Sequence, residues 1–392
     1  ITPAHDFNDF EVGQRHNLPL VTVIDQNGRL NQNVPKEFQA LTVKEARVKL
    51  VSALTDIGNL EKIEKHLMQI PYGDRSNTVI EPLPSKQWFL NVNKMANEAI
   101  EAVKNKEVKL IPASWENLYF NWLNNIKPWC ISRQLWWGHK IPVWHTKDGK
   151  VFAAASKEEA LKKAKEQQYN IEASDLVQDN SVLDTWFSSA LWPFVTLGWP
   201  DLESERLQKY YPTSTLVTGF DILFFWVARM IMIGKHVLKA VPFKEVYLHA
   251  LILDEKGQKM SKTKGNVVDP LLLMEKYGTD ALRFTLANYS SSGQNIKFSE
   301  KALEGFRNFI TKIWNAYRFL QYYNCTTYNN YNPRTVSSDI NKWILLELQE
   351  LIDSSNKNIK NYQFSEATNK LYHFTWNVFC DWYIETIKII FT

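Results

Sequence analysis

Between residues 213 and 296 two kinds of periodicity take turns, and that alternation limits the fold more than any other feature of the chain. Thr215–Thr218 reads as a buried strand, Asp221–Leu238 as a helix and Val246–Ile252 as a second strand. A Gly- and Lys-rich loop follows, then a helix near Leu271–Lys276. Strand, helix and strand in this order predict a parallel α/β sheet. In such sheets ligands bind beyond the carboxyl ends of the strands.

From Glu300 the pattern changes. Leu303, Phe306, Ile310, Ile313, Tyr317 and Leu320 are spaced by three and four, one apolar face of a long helix. Asn324–Pro333 is a linker, and Asn341–Ile352 and Glu366–Ile390 are further helices, so the C-terminal region is an α-helical module. Upstream, Leu20–Ile24 is strand-like and Asn27-Gly28 is a turn. Helices are expected over Val43–Leu54 and Leu60–Gln69, then a strand over Asn77–Ile80, then helices over Asn93–Lys104 and Glu116–Asn125. Residues 151–180 read as a polar, Lys- and Glu-rich insertion with a short helix, Lys157–Gln168.

A chain of 392 residues holds two or three domains. Its net charge of +4 neither demands nor excludes a nucleic-acid partner, because a local basic face can bind phosphates. Cys130, Cys325 and Cys380 are odd in number and far apart, which supports neither a zinc site nor a disulfide framework. Reduced, buried thiols in a cytoplasmic protein are the plain expectation. The longest apolar run, Ile222–Ile233, is too short for a bilayer and contains Arg229, so no membrane role is expected. The chain opens on Ile1 rather than Met, and Phe391-Thr392 interrupts a helical pattern, so both ends are expected to be cut.

The sharpest chemical signal is Lys259-Met260-Ser261-Lys262-Thr263, inside a loop bounded by Gly257 and Gly265. Flexible ammonium groups just after a strand can clamp a triphosphate and neutralise a departing pyrophosphate. A solvated basic surface loop is the bland alternative. Thr218-Gly219-Phe220-Asp221 stands at a strand end opening a helix. Gly219 lets a ligand approach the backbone, and Asp221 can accept from ribose hydroxyls or an ammonium, or cap the helix.

The order of residue types in the lysine loop resembles the KMSKS signature of class I aminoacyl-tRNA synthetases, with Thr263 in place of the usual Ser. Val246-Tyr247-Leu248-His249 lies where that family places a His beside the nucleotide. Asp184-Thr185-Trp186-Phe187-Ser188-Ser189 with Trp192-Pro193-Phe194 and Leu197-Gly198-Trp199-Pro200 resembles the valine-specific branch. Pro128–Gly138 resembles several branched-chain members, and Gly278–Phe284 with Ile296–Glu300 again the valine branch.

The resemblance implies ATP-dependent attachment of valine to tRNA(Val) through a valyl-adenylate, with Mg²⁺ entering as the ATP complex and no zinc. Lys259 and Lys262 would be catalytic. Gly219, Asp221, His249, Met260 and Ser261 would bind ATP or the adenylate with them. Trp186, Ile222 and Trp226 would wall the valine pocket, whereas Trp192 and Trp199 are expected to be ordinary core. Ile1-Thr2-Pro3-Ala4-His5-Asp6-Phe7-Asn8-Asp9 is similar to a segment of the family's editing domain, which removes Thr from mischarged tRNA. Thr2, Asp6 and Asp9 would belong to that pocket; on their residue types alone the two carboxylates could equally cap a turn or helix.

The implied architecture is a Rossmann-type catalytic domain, second half, over 76–310 with an insertion near 150–180. Part of a β-rich editing domain precedes it over 1–75, and the start of an α-helical anticodon-binding domain follows over 311–392. No HIGH-type segment accompanies the lysine loop, so the isolated chain is expected to be inactive. An isoleucine–tRNA ligase and a non-catalytic tRNA-binding fragment are the alternatives.

Overall fold

The structure is a computed structural model describing residues 1–73, 76–261, 264–290, 295–326 and 331–391. It divides into two units, Ile1–Trp88 and Phe89–Thr392.

The first unit carries helices Phe7–His16 and Val43–Asp56. Each starts where a side chain satisfies the free N–H groups of the first turn. Asp6 accepts from Asn8 N and Asp9 N, and Thr42 and Glu45 form a reciprocal capping box. Gly28 takes the left-handed conformation (φ 74°) that the predicted turn needs, and Ile24 bridges Leu30 across it. The expected strands Leu20–Ile24 and Asn77–Ile80 contribute only isolated bridges, Ile24–Leu30 and Tyr72–Val79. The β-rich character expected here is therefore confined to bridges among the described residues.

The helix expected over Leu60–Gln69 does not form. Ile63, Leu67 and Met68 are all exposed, Leu67 at 98%. Short helices draw their stability from a covered apolar face, and among the described residues of this unit these three side chains stay uncovered.

The second unit is organised by a three-stranded parallel sheet. Phe243–His249 is central, with Lys109–Ile111 on one side and Thr213–Gly219 on the other. Helices Asn93–Lys104 and Arg229–Leu238 pack together over it, burying Ala99, Val103, Met230 and Ile231 with Val246 and Leu248. Buried Tyr119 keeps its hydroxyl satisfied by donating to Ala99 O at 3.2 Å.

The uniform helix expected from Asp221 to Leu238 instead opens with a 3₁₀ turn, Phe220–Ile222, and a π-helical segment, Leu223–Ala228. Phe220 stacks on Trp115 and Phe224 on Trp122, with centroids 5.0 and 5.2 Å apart. Wide turns of this kind are frequent beside functional sites.

The expected insertion is a small folded module. Strands Val143–His145, Val151–Ala153 and Val177–Gln178 form an antiparallel sheet. With helix Lys157–Glu166 they enclose a core of Phe152, Ala160, Ala164 and Leu176.

Helices Glu300–Tyr322 and Asp339–Lys360 lead to a last helical run, Phe364–Phe391, whose middle is π-helical. Tyr362 ties this part to the sheet. Its hydroxyl donates to Glu245 Oε2 at 2.7 Å, and its ring stacks on Tyr247. Of the three thiols expected to be buried, Cys380 alone is; Cys130 is half-buried and Cys325 is exposed.

Candidate active site

Strands Thr213–Gly219 and Phe243–His249 run parallel in register, so Gly219 pairs with His249 at their carboxyl ends. A parallel arrangement delivers the residues that follow each strand to the same edge of the sheet. Asp221 follows the first strand within two residues. The second strand continues through Ile252–Leu253, paired with Ile296–Lys297, into the lysine loop.

The two segments meet. Lys259 Nζ lies 3.5 Å from Asp221 Oδ2, with side chains 72% and 36% exposed. An ion pair so wetted contributes at most about 1 kcal/mol, so either partner can exchange for a ligand at little cost. Neither the 3₁₀ turn that contains Asp221 nor the π-helical segment after it carries a side-chain cap at its N-cap residue, Gly219 or Ile222.

Gly219 is tightly surrounded. A Cβ there would lie 2.6 Å from Asp221 Oδ1 and 3.6 Å from His249 Cε1. Its φ of −67° is open to any residue, so space rather than backbone conformation calls for glycine. His249 Nδ1 sits 2.9 Å from Ala250 O; a protonated Nδ1 donates there and leaves Nε2 as the acceptor.

Of the remaining loop residues, Met260 packs against the cluster of Leu273, Ala281, Leu282, Phe298 and Leu303. Ser261 N donates to Asn266 Oδ1 at 2.9 Å. Lys262 and Thr263 lie outside the described residues.

Trp186 and Trp226 border the main core, half-buried. Trp186 stacks on Phe225, and Trp226 lies against Trp192 with centroids 6.1 Å apart. Ile222 is half-buried at the turn after Asp221. Trp199 packs edge-on to buried Phe194, as a core residue should. Trp192 does not fit that expectation: it is 54% exposed, because Trp226 covers only part of its ring.

Asp184 is one letter of the Asp184–Ser189 motif in sequence and a hub in the fold. It is 5% exposed and accepts from Trp129 Nε1 (2.9 Å), Arg133 (2.9 Å) and Arg229 (3.3 Å), while its other oxygen caps Trp186 N at 3.1 Å. The Arg229 guanidinium also lies 3.8 Å from the Trp129 ring centroid. Burial lowers the Arg229 pKa and Asp184 opposes that change. One carboxylate therefore orients the helix that bears Trp186. Its only local signal is an Asp preceding a helical Thr-Trp-Phe.

In the first unit, Asp9 Oδ2 accepts from both Thr2 N and Thr2 Oγ1, and the backbone N–H above all holds its carboxyl below the ordinary range. The Asp6 side chain serves as the helix cap. His5 accepts from Val23 N at Nε2, which leaves Nδ1 protonated to donate to Pro82 O at 2.8 Å. Among the described residues no three His, Cys, Asp or Glu side chains converge as for a metal ion, and no helix is long and apolar enough to cross a membrane.

The parallel sheet thus brings a lysine loop and a Gly-Asp strand end to its carboxyl edge, where α/β domains bind their ligands. The chain belongs to the family described as "tRNA synthetases class I (I, L, M and V)", which matches residues 20–299. Residues 341–392 match "Anticodon-binding domain of tRNA ligase". Over its full length the chain is 52% identical to the valine–tRNA ligase of Pelagibacter ubique and 50% identical to that of Zymomonas mobilis subsp. mobilis. It spans 44% of the length of each. The fold resembles Mycobacterium tuberculosis methionyl-tRNA synthetase in complex with methionyl-adenylate, with TM-score 0.61 at 16% identity over 82% of this chain and 57% of that one.

Proposed function

We propose that the protein carrying this chain joins valine to tRNA(Val) through a valyl-adenylate made from ATP. The observation that carries this reading is the approach of Lys259 to Asp221 at the carboxyl edge of the parallel sheet. Lys259, with Lys262, neutralises charge that develops on the leaving pyrophosphate; Mg²⁺ arrives with ATP as part of the substrate. Asp221 and His249 hold the adenylate, Gly219 leaves room for it, and Met260 and Ser261 seat the loop. Trp186, Ile222 and Trp226 exclude side chains larger than valine by overlap.

An apolar pocket rejects a hydroxyl isostere weakly, valine against threonine being the familiar example. Thr2 and Asp9 near the chain start are proposed to serve hydrolytic removal of Thr, with Asp6 supporting the turn. On this reading residues 1–75 belong to the editing domain, 76–310 to the catalytic domain, and 311–392 open the anticodon-binding domain that lies along the tRNA. The protein works in the cytoplasm. The isolated chain, at 44% of such a ligase, does not turn over alone.

ATP–pyrophosphate exchange by the full-length protein, with valine, isoleucine and threonine compared, tests this. Preference for isoleucine moves the assignment to the isoleucine branch. Tight tRNA binding without exchange for any amino acid makes the protein a tRNA-binding module instead. Asp9→Ala should let Thr-tRNA accumulate while valine exchange persists; absence of that product removes the editing assignment.

A further inference from the structure

We infer that Asp254 and Asn266 form a latch that fixes the backbone on both sides of Lys259, making Asn266 a positioning residue for that lysine. The inference rests on the proposed role of Lys259. The loop opens with a tight turn in which Asp254 Oδ1 accepts from Lys256 N (3.0 Å) and Gln258 N (2.7 Å), with Gly257 in the left-handed region at φ 78°. At the far end the Asn266 amide makes three contacts. Nδ2 donates to Asp254 Oδ2 at 2.9 Å and, at 3.4 Å, to Lys259 O, while Oδ1 accepts from Ser261 N at 2.9 Å.

One side chain therefore fastens residues 254, 259 and 261. An asparagine amide offers a donor and an acceptor side by side in one plane, and offers both at any pH. Met260, seated in its apolar cluster, holds the same stretch from the other side. The Lys259 stem, between these anchors, stays exposed and can change partners. A fixed base with a free tip gives a cation that reaches one place without losing its mobility.

The pair can be inverted. In Asp254→Asn with Asn266→Asp, the new Asn Oδ1 still accepts from Lys256 and Gln258, and its Nδ2 donates to the new carboxylate. That carboxylate accepts from Ser261 N, and only the long contact to Lys259 O is not rebuilt. In the single variant Asn266→Asp, two carboxylates face each other and need a shared proton.

In the full-length protein, Asn266→Asp should lower kcat for ATP–pyrophosphate exchange by about tenfold near pH 8, with the valine KM little changed. Part of the loss should return toward about pH 5, where a pair of facing carboxylates begins to hold a shared proton. The inverted pair should regain kcat to within about threefold of the wild type at both pH values. Wild-type kcat for Asn266→Asp at every pH, or an inverted pair no better than the worse single variant, overturns the latch. A second readout needs no activity: tryptic cleavage of this chain after Lys256 and Lys259 should accelerate in Asn266→Asp and revert in the inverted pair, with other sites unchanged. If Lys259→Ala leaves exchange intact, the functional reading fails, and the cleavage pattern still decides the latch.

Discussion

Lys259 and Asp221 are 38 residues apart in sequence and 3.5 Å apart in the fold. They meet because two parallel strands end at one edge, each handing its next residues to the same place. The pair is exposed and weak. A substrate ammonium can take the place of the lysine on Asp221, and a phosphate the place of the aspartate on Lys259.

Lys259→Ala in the full-length protein should lower kcat for valine-dependent exchange by about 10²–10³, the usual cost of one group aimed at developing charge. The valine KM should hardly move, since the partner charge appears only as pyrophosphate departs. Steady-state exchange kinetics check this; a raised KM at unchanged kcat assigns the lysine to ground-state binding instead.

Gly219→Ala should leave the fold intact but cripple the site. The added methyl would meet Asp221 Oδ1 at 2.6 Å, a flexible carboxylate that can swing away. Thermal unfolding should therefore change little, while adenylate formation falls by about tenfold or more through the displaced Asp221. A large drop in melting temperature would mean the glycine serves packing.

Asp184→Ala should destabilise the chain by about 3–5 kcal/mol, because it strands Arg229 in a buried site with no counter-charge. Urea denaturation followed by tryptophan fluorescence measures the loss. A change below about 1 kcal/mol, the range of surface pairs, would show that water compensates the cluster.

Acid should loosen the lysine loop before it touches the sheet. The Asn266 amide first, then Gln258 N–H, holds the Asp254 carboxyl below its ordinary 3.8. The ordered loop thus binds fewer protons than the opened one, and the ordering is complete above about pH 4 and lost as pH falls through the depressed value. Hydrogen exchange at Lys256 and Gln258 should lose protection on acidification while Phe243–His249 keeps it. Protection that instead weakens toward alkaline pH would contradict the sign.

Local periodicity was a reliable guide where it carried its own stop signals. Val43–Asp56 is opened by the Thr42–Glu45 box and followed by Gly58 at φ 73°, and the Asn93–Lys104 helix has the expected bounds. It misled over residues 60–69, where an apolar stripe had no surface to lie on, and over Asp221–Leu238, where crowded aromatic rings widen the first turns. Within the candidate site, Gly219, Asp221, His249 and Lys259 are candidates on sequence, and the fold brings them near one another. Asp184 is not, because its partners Arg133, Trp129 and Arg229 lie 45 to 55 residues away.

The amino-acid sequence alone determined which groups this chain can bring to bear, namely a loop of lysines, a strand end with glycine and aspartate, and the alternation that makes the sheet parallel. Tertiary structure decided which of them meet: that Lys259 faces Asp221, that Asn266 reaches back to Asp254, and that Met260 turns into an apolar cluster. Residue order encodes hydrogen-bonding capacity and local periodicity, whereas a contact between distant segments exists only once packing has paired strands and fixed the path of the chain between them.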